Sequence, residues 1–208
     1  MNKTLTTLCA AALLASAPLV RAATVVDTGT PGGSAVGALV FDTVDWTAAQ
    51  VTFSQASTVD AIQGHILGGA AGETFDVSLF AADAAQGPGT LLYTTTATFG
   101  ADGWNGVSGL GGWNVGAGSY WIEFEIQGGD TLGSASVTGA LLDLGAPNPL
   151  ALTASTSNSG FSYDSGALAF GLRVDATAVS TVSEAAPAWQ LVAGTLLLTS
   201  LGLVRRRR

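Results

Sequence analysis

Cysteine, histidine and basic residues are scarce in this chain of 208 residues. The one cysteine, Cys9, lies near the start, so the rest of the chain can form no disulfide and use no thiol chemistry. The chain has one histidine, His65, so it cannot form a zinc site built from several histidines. Because no Gly-x-Ser-x-Gly segment accompanies it, we expect a structural or surface role for His65 rather than a catalytic one.

Basic residues are confined almost entirely to the two ends of the chain. Two precede residue 23, four close the chain, and Arg173 alone lies between them. Fourteen Asp and Glu residues accompany Arg173 between residues 23 and 180, so this body carries a net charge near −13. Nucleic acids bind proteins through Lys and Arg, and this charge therefore excludes nucleic acid as a partner.

We interpret the acidity as a means of keeping a lysine-free exported domain in solution. A Ca²⁺ site is the alternative, but such a site needs several oxygens converging on one point, and no Asp-x-Asp-x-Asp-Gly loop occurs. Asp42, Asp45 and Asp60 are too sparse to predict one. The sequence therefore indicates no metal site and no cofactor.

The first 22 residues have the layout of a secretory signal peptide. Lys3 precedes an apolar stretch from Leu8 to Val20, and Ala22 or Ala23 offers a small residue for cleavage. We predict that residues 1–22 are removed on export. The body from 23 to 180 is then long enough for one domain with a sizeable core.

The last residues predict a membrane span. Residues 188–204 carry no charge, and their apolar side chains fall all round a helix rather than on one stripe. As a helix this run would reach about 25 Å, the lower edge of what crosses a bilayer. The cluster that follows, Arg205, Arg206, Arg207 and Arg208, would stay in the cytoplasm and place the body on the other side.

The linker at 181–187 contains Val182-Ser183-Glu184-Ala185-Ala186-Pro187 just before this span. In order and spacing, the linker, span and terminal arginines resemble the C-terminal sorting segment of bacterial PEP-CTERM proteins, which usually reads Val-Pro-Glu-Pro. This chain keeps the Val, the Glu and a displaced Pro. The resemblance implies a membrane protease, exosortase, as partner, a transient stay in the inner membrane, and delivery to the cell surface or an exopolysaccharide matrix.

The body between the two ends reads as short strands and turns. Glycine-rich breakers separate segments in which apolar and polar residues alternate, and no segment sustains a helical period. The predicted strands are 49–54, 59–67, 74–82, 91–99, 119–127, 135–144 and 167–176. We predict an all-β fold, an antiparallel β-sandwich or jelly roll, resembling the β-sandwich domains that often precede such sorting tails.

The clearest alternation, in 119–127, places Tyr120, Ile122, Phe124 and Ile126 on one face. Trp121, Glu123 and Glu125 fall on the other face, which we expect to be wet. Glu123 and Glu125 would allow a glycoside hydrolase, but solvated acids on a strand are the simpler interpretation.

Aromatic residues are the better indication of function. Trp104 and Trp113 lie in glycine-rich sequence predicted as loop, and Trp121 lies on the expected wet face. Each could pack in a core or at its end, or could stack on a sugar ring. We therefore expect a non-enzymatic exported surface protein associated with exopolysaccharide, with a carbohydrate-binding module that uses Trp104, Trp113 or Trp121 as the alternative.

Overall fold

The computed structural model describes residues 22–32, 38–83, 87–134, 140–148, 150, 152–157 and 162–179. These residues form thirteen strands and no helix, and every strand pairing is antiparallel. The all-β prediction is confirmed. None of the described residues belongs to a helix long and apolar enough to cross a membrane.

The strands in chain order are β1 (Ala22–Asp27), β2 (Ala38–Phe41), β3 (Trp46–Phe53), β4 (Ser57–Leu67), β5 (Thr74–Ala82), β6 (Pro88–Thr98), β7 (Gly103–Ser108), β8 (Asn114–Val115), β9 (Gly118–Glu125), β10 (Ala140–Asp143), β11 (Thr153–Thr156), β12 (Asp164–Gly166) and β13 (Leu172–Ala178). The predicted signal peptide, apart from Ala22, and the predicted linker, membrane span and arginine cluster lie outside the described residues.

Two sheets make up the body. The first sheet has seven strands and is built around β4. β13 and β10 pair one after the other with one edge of β4, and β7 and β8 pair with the other edge. β1 pairs with β13, and β2 pairs with β10. The second sheet has six strands in the order β12-β11-β3-β9-β5-β6. The two antiparallel sheets are consistent with the predicted β-sandwich.

The main core contains the inward side chains of both sheets, as the alternation of apolar residues requires. Phe124 of β9 lies within it, with its ring centroid 6.4 Å from those of both Phe75 and Phe170. A Cβ at Gly64 would lie 3.0 Å from this ring, so glycine makes room for Phe124 at that point of β4. Burying an aromatic side chain of this kind contributes about 2–3 kcal/mol to stability.

One predicted loop is a strand. The glycine-rich sequence around Trp104 is predicted as loop, but Gly103–Ser108 forms β7 beside β4. The glycine at 106 is needed because β7 approaches β4 closely: a Cβ there would lie 2.1 Å from the carbonyl oxygen of Ile62. Glycine in this segment therefore marks close contact between strands rather than a turn.

Candidate functional site

The three predicted sugar-stacking tryptophans lie in three different environments. Trp104 is half-buried on β7, in the first sheet. Trp113 is 9% exposed in the main core, where its ring stacks on Tyr93 with centroids 5.3 Å apart. Trp121 is fully buried on the outer face of the second sheet. The structure does not bring the three together, and neither Trp113 nor Trp121 presents an open ring face.

The ring of Trp104 is covered by the one cation of the body. The guanidinium carbon of Arg173 lies 3.9 Å from the Trp104 ring centroid, and Arg173 Nε lies 3.3 Å from Oδ1 of Asp27. The backbone N–H of Gly29 and, more weakly, Arg173 lower the pKa of the exposed Asp27 carboxyl. A sugar could stack on this face of Trp104 only after displacing Arg173.

His65 lies on β4, as predicted, with its Nδ1 3.0 Å from Oδ2 of the buried Asp143. The His65 and Trp104 rings are in edge-to-face contact, with their centroids 5.3 Å apart. Within the described ranges no serine or threonine hydroxyl is hydrogen-bonded to this pair, so it lacks the nucleophile of a catalytic triad. The geometry favours the structural role expected for His65.

The expectation of a wet face on β9 is wrong. Glu123 and Glu125 are 0% and 1% exposed, like their neighbour Trp121. The small side chains of Ala48 and Ala154 pack with Trp121, and Phe80, Leu152 and Tyr163 lie against this group. The Tyr163 hydroxyl donates a 2.8 Å hydrogen bond to Oε2 of Glu123. The outer face of the second sheet therefore has a small packed layer of its own.

Burial of this layer changes the acidity of its carboxyl groups. Desolvation, and then the neighbouring Glu125, raise the pKa of Glu123 to about 8, although the hydrogen bond from Tyr163 acts in the opposite direction. Desolvation also raises the pKa of Glu125, against hydrogen bonds from Ser78 and Gln127. At neutral pH Glu123 is therefore protonated.

A carboxyl group with a raised pKa is a common general acid, but such a group must meet its substrate. The described cavities are lined by neither Glu123 nor Glu125. One oxygen of each carboxyl group is buried without a hydrogen-bond partner. The pair is therefore part of the packing of this face rather than an accessible catalytic pair.

A different tryptophan, Trp46, borders open space. It begins β3 and lines two cavities, of about 240 and 270 Å³. Both cavities are rimmed by polar groups or exposed backbone: Asp45, Thr47, Ser155, Thr156, Ser157 and Asp164 in one, and Thr43, Gln127 and Gly128 in the other. We call this region the Trp46 cleft.

The turn before Trp46 is held by the side chain of its first residue, Asp42. Asp42 Oδ1 accepts hydrogen bonds from the backbone N–H groups of Val44 at 2.7 Å and Asp45 at 2.9 Å. Such a turn is typical of Asp at its first position and holds the following residue in place. Trp46 is thereby positioned by the fold itself, and its indole N–H is buried with no acceptor within the described structure.

The chemistry of the Trp46 cleft suits a polyhydroxylated ligand. An aromatic wall beside a few carboxylate, hydroxyl and amide groups is the usual composition of a small polar ligand site. Desolvation, and then Asp42, raise the pKa of Asp45 above its ordinary value. Trp46 is not among the tryptophans predicted from the sequence, because Trp104 and Trp113 were chosen for their glycine-rich context and Trp121 for strand alternation. The sequence signal at Trp46 is the Asp-Thr-Val-Asp segment directly before it.

Among the described residues no group of three or more His, Cys, Asp or Glu side chains could hold a metal ion. Comparison of the chain with models of known protein families finds no match, and comparison with curated protein sequences finds no significant one.

Proposed function

We propose that this chain is a non-enzymatic exported surface protein, whose β-sandwich body is sorted by a PEP-CTERM-like tail and associates with exopolysaccharide. The supporting observation is the pairing of the first and last strands of the body. β1 runs antiparallel to β13 with Ala22 opposite Thr177, so the chain enters and leaves the body at the same end.

This arrangement fits a body held at one membrane surface. The proposed signal peptide ends beside β1 and the proposed span follows β13, so both membrane segments would approach the body from one side. Nine residues, 179–187, separate the end of β13 from the span, and fully extended they reach about 30 Å. The linker at 181–187 would then lie close to the bilayer, where a membrane protease acts.

Intact-mass measurement of the chain in membrane and surface fractions tests the proposal. The surface form is expected to begin near Ala23 and to end between Glu184 and Pro187, with a longer precursor in the membrane fraction. Replacing the four terminal arginines with serine should leave less surface form, because the tail would no longer be held at the cytoplasmic side. A surface form that still carries Arg208 contradicts removal of the tail.

The Trp46 cleft favours a second function, saccharide binding, which is compatible with the first. Trp46 lines both cavities, and the body around it carries a net charge near −13. A polysaccharide rich in uronate or sulfate would be repelled by this charge. We therefore propose a neutral or amino-sugar polymer as the ligand class, bound at Trp46 rather than at Trp104, Trp113 or Trp121.

Co-sedimentation with insoluble neutral glucan, chitosan and alginate gel would measure this binding. Trp46→Ala is expected to weaken binding to the glucan or the chitosan at least about tenfold, because it removes the stacking wall. Trp104→Ala is the matched control, since Arg173 already covers that ring. Binding that depends on Trp104 but not on Trp46, or no binding to either polymer, contradicts the assignment.

A further inference from the structure

β6 is the longest strand at the edge of either sheet. Its eleven residues pair with β5 on one side only, within the part of the chain that the structure describes. The other strands at sheet edges are shorter, and two of them, β1 and β12, contain an aspartate. β6 contains no charged residue, and neither does β7, the strand that follows it in the chain.

The free edge of β6 presents backbone hydrogen-bonding groups at alternate residues. The N–H of Phe99, just past the strand, donates to the carbonyl of Glu73 at 2.7 Å and so points toward β5. Successive N–H groups of a strand point to opposite sides. In the regular stretch 93–98, the backbone groups of Thr94, Thr96 and Thr98 therefore point away from β5, and these residues are exposed.

Edge strands of this kind are usually protected by charged residues or by an inserted proline. β6 has proline only at its first position, in Pro88, and its exposed large apolar residues, Leu91 and Leu92, are 49% and 41% accessible. In a body as acidic as this one, an edge without acids is the place where a second copy can approach without repulsion.

We propose that two copies of this chain associate through β6, antiparallel and about a two-fold axis at Thr96, so that their second sheets join into one. Each outward-facing threonine then meets another threonine, with Thr96 opposite its own copy and Thr94 opposite Thr98 of the partner. Paired in this way the three positions form about six backbone hydrogen bonds. Opposed threonines are favourable cross-strand neighbours.

The nearest acid on this face does not oppose the pairing. Asp76 lies one strand inward, where its Oδ1 accepts a hydrogen bond from Thr96. The two copies of Asp76 would be three strand spacings apart, about 14 Å, which exceeds the screening length of about 8 Å at physiological salt. The contact is formed mainly by three threonines from each copy, fewer than the roughly 20–30 residues a side of a standard protein interface, so we expect a weak dimer.

Disulfide trapping tests this pairing in the full chain. In a Cys9→Ser background the protein has no other thiol, so Thr96→Cys would place two cysteines opposite each other on the axis at a disulfide-compatible separation. Mild oxidation is expected to convert most of this variant into a covalent dimer. Thr52→Cys is the matched control: Thr52 is exposed, but it pairs with Ser119 of β9, and β9 and β5 separate its strand β3 from β6. It should give at least about fivefold less dimer.

Charge supplies an independent test of the same register. Adding Thr94→Glu and Thr98→Glu to Thr96→Cys places like charges opposite each other across the axis. Cross-linking should fall several-fold and recover partly in 1 M salt, while the melting temperature stays close to that of Thr96→Cys alone. Equal cross-linking of Thr96→Cys and Thr52→Cys, or cross-linking that does not respond to the two glutamates, overturns the proposal.

Discussion

Replacing the buried carboxyl of Glu123 by an amide, Glu123→Gln, should stabilise the protein at neutral pH. The unfolded chain releases this proton above its ordinary pKa of 4.5, whereas the folded protein retains it up to a pKa of about 8. The contribution of Glu123 to stability is therefore complete below pH 4.5 and is lost as the pH rises toward 8. At about 1.4 kcal/mol per pH unit, roughly 3 kcal/mol has been lost by pH 7.

The amide has no proton to lose, so this loss disappears in Glu123→Gln. The substitution also has a cost. The second carboxyl oxygen of Glu123 is buried without a hydrogen-bond partner, so an amide hydrogen placed there would be unsatisfied and would cost about 1 kcal/mol of stability. The net gain at pH 7 is roughly 2 kcal/mol, or about 6 °C in melting temperature for a body of this size. At pH 5 the gain should vanish or reverse.

Thermal unfolding of the wild type and the variant at pH 5, 6, 7 and 8 measures this difference. Tyr163→Phe is the informative companion, because it removes the hydrogen bond that lowers the pKa of Glu123. In this variant the fall of stability should therefore continue undiminished through pH 8 instead of levelling off there. A difference between Glu123→Gln and the wild type that is the same at pH 5 and pH 7 would refute the reasoning.

Four further substitutions, one of them a control, test other parts of the body by chemical denaturation. Glu73→Ala should cost roughly 2 kcal/mol, because this carboxylate accepts two backbone hydrogen bonds, at 2.8 and 2.9 Å, and one from a serine hydroxyl. Gly106→Ala should lower the free energy of unfolding by more than about 3 kcal/mol, because its Cβ would lie 2.1 Å from a carbonyl oxygen of β4. Gly111→Ala is the control: Gly111 has open space around it, so this change should cost under about 1 kcal/mol. Arg173→Lys should cost about 0.5 kcal/mol or less, because the lost stacking on Trp104 is partly solvated.

The pattern of alternation predicted the fold better than it predicted the site. In β9 it placed Ile122 and Phe124 in the main core, where both are fully buried. It could not show that the opposite face is also covered, because the residue that covers Glu123 is Tyr163, forty positions later in the chain. Period-two patterning separates the two faces of a strand but does not indicate what packs on each face.

The site residues illustrate the same limit. For the tryptophans in glycine-rich sequence the pattern allowed both core packing and sugar stacking; Trp113 stacks on Tyr93 inside the core, and Trp104 lies on a strand beneath Arg173. Trp46 was passed over, although its neighbours in the sequence form the turn that holds it at two cavities. Exposure of a large side chain depends on partners distant in sequence, which a single sequence does not specify.

The pairing of β1 with β13 determines when the body can fold. β13 also pairs with β4, so the first sheet is joined through a strand that emerges among the last residues of the body. Contacts between such distant segments form slowly, because a long loop of chain must close first. If the chain is exported from its N-terminus, as we propose, its native structure would therefore be completed only when residue 178 has crossed the membrane.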